Sequence, residues 1–188
     1  MNETPPAHSA KPVLLAYSTT DGQTLRICQY LQAELQAQQQ PVQLMPVGAA
    51  QTLDLSAFGV LVLGASVRYG KHQQEVYRFV AAQQAALQRQ PSLFFSVNAV
   101  ARKPHKRGAQ SNPYVRKFLQ QVAWQPQHVV ALAGRIDYPR YGWLDRQMIR
   151  CIMWLTKGPT DVRCCTEFTD WNQVKALAQT IAAMRQGA

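Results

Sequence analysis

The chain has 188 residues, about one domain by the usual size of domains, and 47% of them are hydrophobic, enough to fill one core. No stretch approaches the roughly 18 apolar residues of a membrane-spanning helix, and the four cysteines show neither a zinc-binding spacing nor a disulfide framework. The formal net charge is +10, of which segment 102–163 carries +9, so an anionic membrane, a polyanion or an acidic substrate is an expected partner.

Apolar runs and amphipathic segments alternate along the chain. We expect residues 1–11 to be a loose, polar extension and residues 12–188 to form a single domain. Strands are predicted at 13–17, 42–47, 60–63, 93–97 and 129–133, and helices at 25–38, 74–87, 114–122 and 171–184. Between the second and third strands only 53–58 could supply a short helical piece. The alternation predicts an α/β domain with a mostly parallel sheet and helices on both faces.

The loop after the first predicted strand is rich in hydroxyl groups and opens directly into the first helix. It consists of Ser18, Thr19, Thr20, Asp21, Gly22, Gln23 and Thr24. The free N–H groups and the positive end of that helix would face one anion, which suits a phosphate monoester held by neutral donors. The alternative is an ordinary turn in which Thr24 caps the helix.

Two further loops follow neighbouring predicted strands and would meet the first loop at the same edge of the sheet. The first contains Gly64 and the candidate binding residues Ala65, Ser66, Val67, Arg68, Tyr69 and Gly70; the second contains Ser96, Val97, Asn98, Ala99 and Val100. Small residues in the first loop would let a flat ring approach the backbone, and Tyr69 would offer a face for stacking. The second loop could hydrogen-bond the polar edge of such a ring.

These loops make the chain resemble the flavodoxin family over residues 13–184. The phosphate loop of that family runs Thr-x-Thr-Gly-x-Thr, and here the sequence from Thr19 to Thr24 departs from it at Asp21. Because a carboxylate would repel a phosphate, we expect Asp21 to turn away or to cap the helix. The resemblance implies a three-layer sandwich, a five-stranded parallel sheet in the order 2-1-3-4-5, and bound FMN. No dinucleotide or nucleoside triphosphate motif is present.

Longer strings resemble one branch of that family, the bacterial menaquinone-dependent protoporphyrinogen IX dehydrogenases. They are the three loops, the extension of the last one through 101–104, Tyr138-Pro139-Arg140-Tyr141 and Thr169-Asp170-Trp171. This resemblance implies oxidation of protoporphyrinogen IX in heme biosynthesis, with electrons passed to menaquinone or ubiquinone. It also implies a peripheral location on the cytoplasmic face of the bacterial inner membrane.

An insert at about 135–160 contains a predicted amphipathic helix. At about 100° per residue, Leu144, Met148 and Ile152 share one face, whereas Asp145 interrupts that apolar arc. An apolar face with cations and tryptophans nearby is typical of an interfacial helix. The candidate membrane residues are Trp143, Leu144, Met148, Ile149, Ile152 and Trp154. The alternative is a helix that packs on its own sheet or on a second copy in a homo-oligomer.

The same region supplies candidate substrate contacts. Arg102, Arg135 and Arg140 could pair with carboxylates of the substrate, and Tyr138 and Tyr141 could line an apolar wall, although each arginine could also be a solvated cation. No side-chain arrangement indicates an acid–base catalyst or a metal site. Three alternatives stay open: an electron-carrying flavodoxin, a general NAD(P)H-quinone reductase and a nucleic-acid-binding module, the last disfavoured because no nucleic-acid motif is recognisable.

Overall fold

The computed structural model describes residues 11–155 and 158–186, so the expected extension at 1–11 lies outside the described residues except for Lys11. The strands are β1 (Val13–Ser18), β2 (Val42–Pro46), β3 (Val60–Arg68), β4 (Lys71–His72), β5 (Ser92–Val97), β6 (His128–Leu132), β7 (Arg135–Asp137) and β8 (Cys165–Glu167). The helices are α1 (Gln23–Ala37), α2 (Val47–Ala50), α3 (Gln74–Ala82), α4 (Gln84–Arg89), α5 (Pro113–Gln121), α6 (Trp143–Leu155) and α7 (Trp171–Gln186).

Five strands form a parallel sheet in the order β2-β1-β3-β5-β6. The two-residue β4 is an additional strand that pairs antiparallel with the end of β3. The fourth and fifth parallel strands are therefore labelled β5 and β6, and the predicted order 2-1-3-4-5 is confirmed. The central strands read as continuous apolar runs because both of their faces are buried. Within the described residues, no helix is long and apolar enough to cross a membrane.

Alternating side chains of β1 show the two layers of the core. Leu15 packs with Leu31 and Ile181 under α1 and α7, whereas Leu14 packs with Phe79 under α2, α3, α4 and α5 on the opposite face. Helices therefore cover both faces of the sheet, and ligands of such a sheet bind at the edge formed by the carboxyl ends of the strands.

Two predicted elements differ from the structure. The single helix predicted at 74–87 is broken at Gln83, whose side chain donates two hydrogen bonds to the carbonyls of Gln51 and Leu53, so α3 and α4 are separate. The insert contains strands as well as a helix. Strand β7 precedes α6 along the chain and β8 follows it, and the two strands pair antiparallel as a two-stranded ribbon. Periodicity alone does not reveal such short strands.

Candidate functional site

A cleft of about 940 Å³, including its open mouth, lies at the carboxyl edge of the sheet. All three predicted loops reach it, since they lie at the carboxyl ends of β1, β3 and β5. The strand predicted at 60–63 continues to Arg68, so residues 64–68 of the second predicted loop belong to β3. The predicted cofactor residues that line it are Thr19, Asp21, Gln23, Thr24, Ser66, Val67, Arg68, Tyr69, Gly70, Val97, Asn98, Ala99 and Val100. The other predicted residues, Ser18, Thr20, Gly22, Ala65 and Ser96, are not among the lining residues. Helix α6 contributes a further wall through Met148, Ile149, Ile152 and Met153.

The first loop presents the beginning of α1 to the cleft. Gly22 adopts a left-handed conformation, with φ at 86°, and the first backbone bond of the helix runs from the N–H of Arg26 to the carbonyl of Gly22, at 3.0 Å. The preceding N–H groups of the first turn have no partner within the helix. The hydroxyl of Thr24 is buried and has no hydrogen-bond partner among the described residues. This combination of donors fits a phosphate group.

Other polar groups of this loop are engaged in holding its shape. Thr19 Oγ1 accepts the N–H of Gly22 at 3.0 Å, and Ser66 Oγ accepts the N–H of Thr20 at 3.2 Å. The buried hydroxyl of Ser18 donates to the side chain of Gln73. The loop is thus tied to β3 and to the segment before α3, which keeps its shape independent of a ligand.

Asp21 lines the cleft beside the start of α1 but does not cap that helix, so one of the two expectations for it is not met. Its carboxylate pairs with Arg68 Nη1 at 2.9 Å, and the helix has Gly22 as its N-cap with no side-chain capping bond. Arg68 also pairs with Asp145 of α6. One guanidinium therefore joins the first loop, the second loop and the insert.

Arg68 is held between aromatic rings as well as between carboxylates. Its guanidinium carbon lies 5.3 Å from the ring centre of Tyr69 and 5.0 Å from that of Tyr141. The Tyr69 hydroxyl donates to Asp145; this bond and the charge of Arg68 lower the pKa of Asp145. The apolar arc predicted for α6 is interrupted at Asp145 because that side chain contacts Arg68 and Tyr69 of the second loop.

The second loop is a tight hairpin, which the sequence did not reveal. Tyr69 and Gly70 have φ values of 52° and 76°, as a two-residue type I′ turn requires, and β4 runs back along β3. Tyr69 is 55% exposed, so part of its ring surface remains open beside the contacts with Arg68 and Asp145. Gly64 has a reason in the core: a Cβ there would lie 2.7 Å from two ring carbons of Phe95, so the glycine makes room for that ring.

The third loop is fixed by the side chain of Asn98. Its Oδ1 accepts the N–H of Ala101 and the Nδ2 group of Asn112, both at 3.1 Å, and its Nδ2 donates to Ser96 Oγ at 3.0 Å. Because the side-chain amide of Asn98 already forms these hydrogen bonds within the protein, we expect the backbone around Ala99 and Val100 to make any hydrogen bond to the edge of a bound ring.

Two of the predicted substrate arginines line the cleft. Arg102 donates to the carbonyl of Ala99 at 2.9 Å, and partial burial lowers the pKa of its side chain. Arg135 pairs with Asp137 at 2.8 Å and donates through Nε to the sulfur of Cys165 at 2.9 Å. Both guanidiniums are thus held in defined positions in the lining of the cleft.

The other three predicted substrate residues lie in three different environments. Tyr141 lines the cleft. Tyr138 does not: it is buried in the insert, and its hydroxyl donates to the carbonyl of Pro159 at 2.8 Å. Arg140 is exposed and lies away from the lining. The assignment of Tyr138 and Arg140 to the substrate wall is therefore corrected, because the 3₁₀ turn at 138–140 directs them elsewhere.

Helix α6 has an inner and an outer face, and the predicted membrane residues are divided between them. Ile149 packs on the buried cluster of Ile136, Tyr138, Tyr141 and Met153, and Ile152 joins it in lining the cleft. The outer residues are Trp143, Leu144 and Trp154, each 71% exposed, and Met148 at the border, 44% exposed. The placement of Ile149 and Ile152 on an interfacial face is therefore corrected.

Sequence reasoning missed several lining residues, among them Tyr114, Gly134, Ile136 and Met153. Gly134 follows β6 closely, so the rule that located the other three loops would also have found it. Nothing in the local pattern marks Tyr114, which reaches the cleft from the first turn of α5. Among the described residues no group of three potential metal ligands comes together.

Comparisons with known proteins agree with this geometry. A flavodoxin-domain family model matches residues 14–163. The protoporphyrinogen IX dehydrogenase [quinone] of Escherichia coli K12 is 41% identical over 169 residues, covering 90% of this chain and 93% of that protein. The protein of the same name from Leishmania major is 38% identical over 180 residues, covering 95% of this chain and 78% of that protein.

Solved structures agree on the fold. Oxidised flavodoxin 1 of Bacillus cereus superposes with a TM-score of 0.53 at 10% identity, covering 94% of this chain and 99% of that one. A flavodoxin from the domain Archaea gives a TM-score of 0.52 at 12% identity, covering 93% of this chain and 99% of that one. At these identities the likeness establishes the three-layer architecture only.

Proposed function

Since this chain belongs to the flavodoxin-domain family of protoporphyrinogen IX dehydrogenases, we propose that it oxidises protoporphyrinogen IX to protoporphyrin IX and passes the electrons to a quinone. The observation that carries the proposal is the 41% identity over 90% of the chain to a dehydrogenase of this name. The cleft supports it, because one wall has the shape of a phosphate-binding loop, another is an apolar helix, and arginines are part of its lining.

A flavodoxin domain implies a flavin, and we propose FMN as its form. The loop from Ser18 to Thr24 suits a single phosphate, because its donors are the backbone N–H groups of the first turn of α1 and the buried hydroxyl of Thr24. When bound, the flavin would supply the two-electron oxidation, since its ring accepts hydride equivalents.

The residues of the insert would shape the space above the ring. Ile149, Ile152 and Met153 give the cleft an apolar wall, which excludes water from the reacting groups. The contacts of Asp145 with Arg68 and Tyr69 hold that wall against the second loop. The described side chains include no residue that must act as an acid or base, so we assign binding and orientation to the protein.

The substrate carries carboxylates on a large apolar ring, and Arg102 and Arg135 would bind them in the cleft. Replacing Arg135 with glutamine should raise the KM for protoporphyrinogen IX about tenfold, as expected for the loss of one charge-assisted hydrogen bond, and change kcat little. The exposed Arg140 provides a matched control: Arg140→Gln should leave the KM unchanged. Equal effects of the two replacements would refute the assignment.

We further propose that the protein works as a peripheral protein on the cytoplasmic face of the bacterial inner membrane and reduces menaquinone or ubiquinone there. The outer face of α6 supports this, since Trp143 and Leu144 near its beginning and Trp154 near its end are exposed, and the same helix carries basic residues. Tryptophan and apolar side chains partition into the headgroup region, and cations add about 1 kcal/mol each near an anionic leaflet.

Anaerobic mixing of the FMN-loaded protein with protoporphyrinogen IX tests the activity. Bleaching of the flavin absorbance, restored by adding a menaquinone analogue, is the expected result. No bleaching at any substrate concentration would overturn the proposal. Rapid oxidation of NADH or NADPH by the same preparation would favour a general quinone reductase.

A further inference from the structure

The side chain of Gln73 lies beneath the phosphate loop without belonging to it. The tight turn at Tyr69 and Gly70 sends the chain back through β4, and the next residue is Gln73, in an extended conformation just before α3. It is the N-cap residue of α3, yet its side chain makes no capping hydrogen bond. Its amide reaches instead to two hydroxyls of the loop, those of Ser18 and Thr20.

The direction of these two bonds determines what Thr20 can offer to a ligand. The buried hydroxyl of Ser18 donates to Gln73 Oε1, which leaves the amide nitrogen facing Thr20. Gln73 Nε2 then donates to Thr20 Oγ1 at 2.6 Å. A hydroxyl has one proton and two acceptor sites, so a Thr20 oxygen that accepts from Gln73 keeps its proton for another acceptor.

The backbone of Thr20 cannot take over that role, because its N–H already donates to Ser66 Oγ at 3.2 Å. The hydroxyl proton is therefore the group through which Thr20 can contact an anion. Neither Gln73 nor Thr20 is among the residues that line the cleft, but Thr20 is exposed next to the lining residues Thr19 and Asp21. Gln73 contacts the loop through the side chains of Ser18 and Thr20. Because Ser18 is buried, Thr20 is the contact through which Gln73 can act on a ligand.

We propose that Gln73 is a positioning residue of the phosphate site, which orients the hydroxyl of Thr20 toward the phosphate of the flavin. The inference rests on the proposed function, in which the loop from Ser18 to Thr24 holds that phosphate. Ser18 fixes the amide, the amide fixes Thr20, and the phosphate meets a donor whose orientation is set before binding, which strengthens binding.

Two replacements separate this role from a structural one. Gln73→Glu makes both side-chain oxygens acceptors, so that the Thr20 hydroxyl must donate its proton to the new carboxylate. The replacement also adds a negative charge near the phosphate. Gln73→Met keeps the length of the side chain and adds no charge, but it removes both the donor to Thr20 and the acceptor of the Ser18 hydroxyl. Gln74→Glu is the matched control, since it adds the same charge at the exposed neighbouring position.

The measurement is the dissociation constant of FMN and of riboflavin, which lacks the phosphate, by quenching of flavin fluorescence, with the thermal midpoint of each apoprotein. We expect Gln73→Glu to weaken FMN binding by about tenfold or more and Gln73→Met by about threefold, with riboflavin binding unchanged for both. Gln74→Glu should keep the wild-type preference for FMN.

Equal weakening of FMN and riboflavin by Gln73→Met would show that Gln73 only supports the loop, and would overturn the inference. The inference would also be overturned if Gln73→Met kept the wild-type ratio of FMN affinity to riboflavin affinity. If Gln73→Glu does not fold, the result for the neutral Gln73→Met alone decides between the two roles. The proposed phosphate site fails in a different way: the wild-type protein itself would then bind FMN no more tightly than riboflavin.

Discussion

Replacement of Gly64 with alanine tests whether this glycine serves the core or the ligand. Gly64 lies directly opposite Phe95 in the β3–β5 register, and Phe95 is fully buried. A Cβ on residue 64 would lie 2.7 Å from both Cε atoms of that ring and closer still to Cζ. Real Cβ atoms do not approach so closely, so the ring or the strand has to move.

The expected cost follows from over-packing of a well-filled core, about 1–3 kcal/mol for one added methyl group. In a chain of this size each 1 kcal/mol lowers the thermal midpoint by about 2–4 °C. Gly64→Ala should therefore lower the midpoint by about 2–12 °C. Adding Phe95→Leu should relieve the clash, so that the double replacement is more stable than the sum of the two single effects predicts, by about 0.5–3 kcal/mol.

Thermal and urea unfolding of the apoprotein provide the assay. Gly48→Ala in α2 is the control, because a Cβ there meets nothing within 4 Å and alanine favours a helix. The reasoning is refuted if Gly64→Ala unfolds like the wild type, or if the two replacements are simply additive. Unchanged stability together with weaker flavin binding would favour the original interpretation, in which the glycine admits the flat ring.

Three further outcomes can be measured. Thr24→Val should leave the free energy of unfolding unchanged or slightly higher, since it removes a buried hydroxyl without a partner, while FMN binding measured by fluorescence weakens about tenfold. Burial lowers the pKa of His72 from 6.5 to about 4. The free energy of unfolding should therefore be unaffected by His72 above pH 6.5 and should fall by up to about 3 kcal/mol as the pH drops toward 4, because the unfolded chain takes up the proton first. In urea unfolding, His72→Phe should not show this loss of stability between pH 6.5 and 4. Replacing Trp143, Leu144 and Trp154 with serine should release the protein from anionic vesicles in a sedimentation assay with FMN still bound, and unchanged sedimentation would contradict the membrane proposal.

The sequence was most informative where the fold itself brings residues together. The carboxyl ends of parallel strands meet at one edge, so the sequence alone assigns three separate loops to one cleft. The same logic would have added Gly134 after β6. Continuous apolar runs likewise predicted the central strands, because burial on both faces leaves no other pattern.

The sequence was least informative about pairs of residues far apart along the chain. Asp145 looked like a flaw in an apolar face, although it contacts Arg68 and Tyr69, more than seventy positions away. Gln73 had no visible role, since its contacts with Ser18 and Thr20 exist only after the hairpin has formed. A helical wheel places a side chain on a face of its own helix but does not show what lies opposite.

The excess of positive charge is best understood from where the acidic groups are used. Within residues 135–155 the two acids, Asp137 and Asp145, both pair with arginines that line the cleft. Arg140 and Arg150 of the same segment are exposed, and no carboxylate of 135–155 is left to neutralise them. The outer surface of the insert is therefore basic because its acids are engaged on the inner side, and an anionic surface would meet cations and tryptophans together.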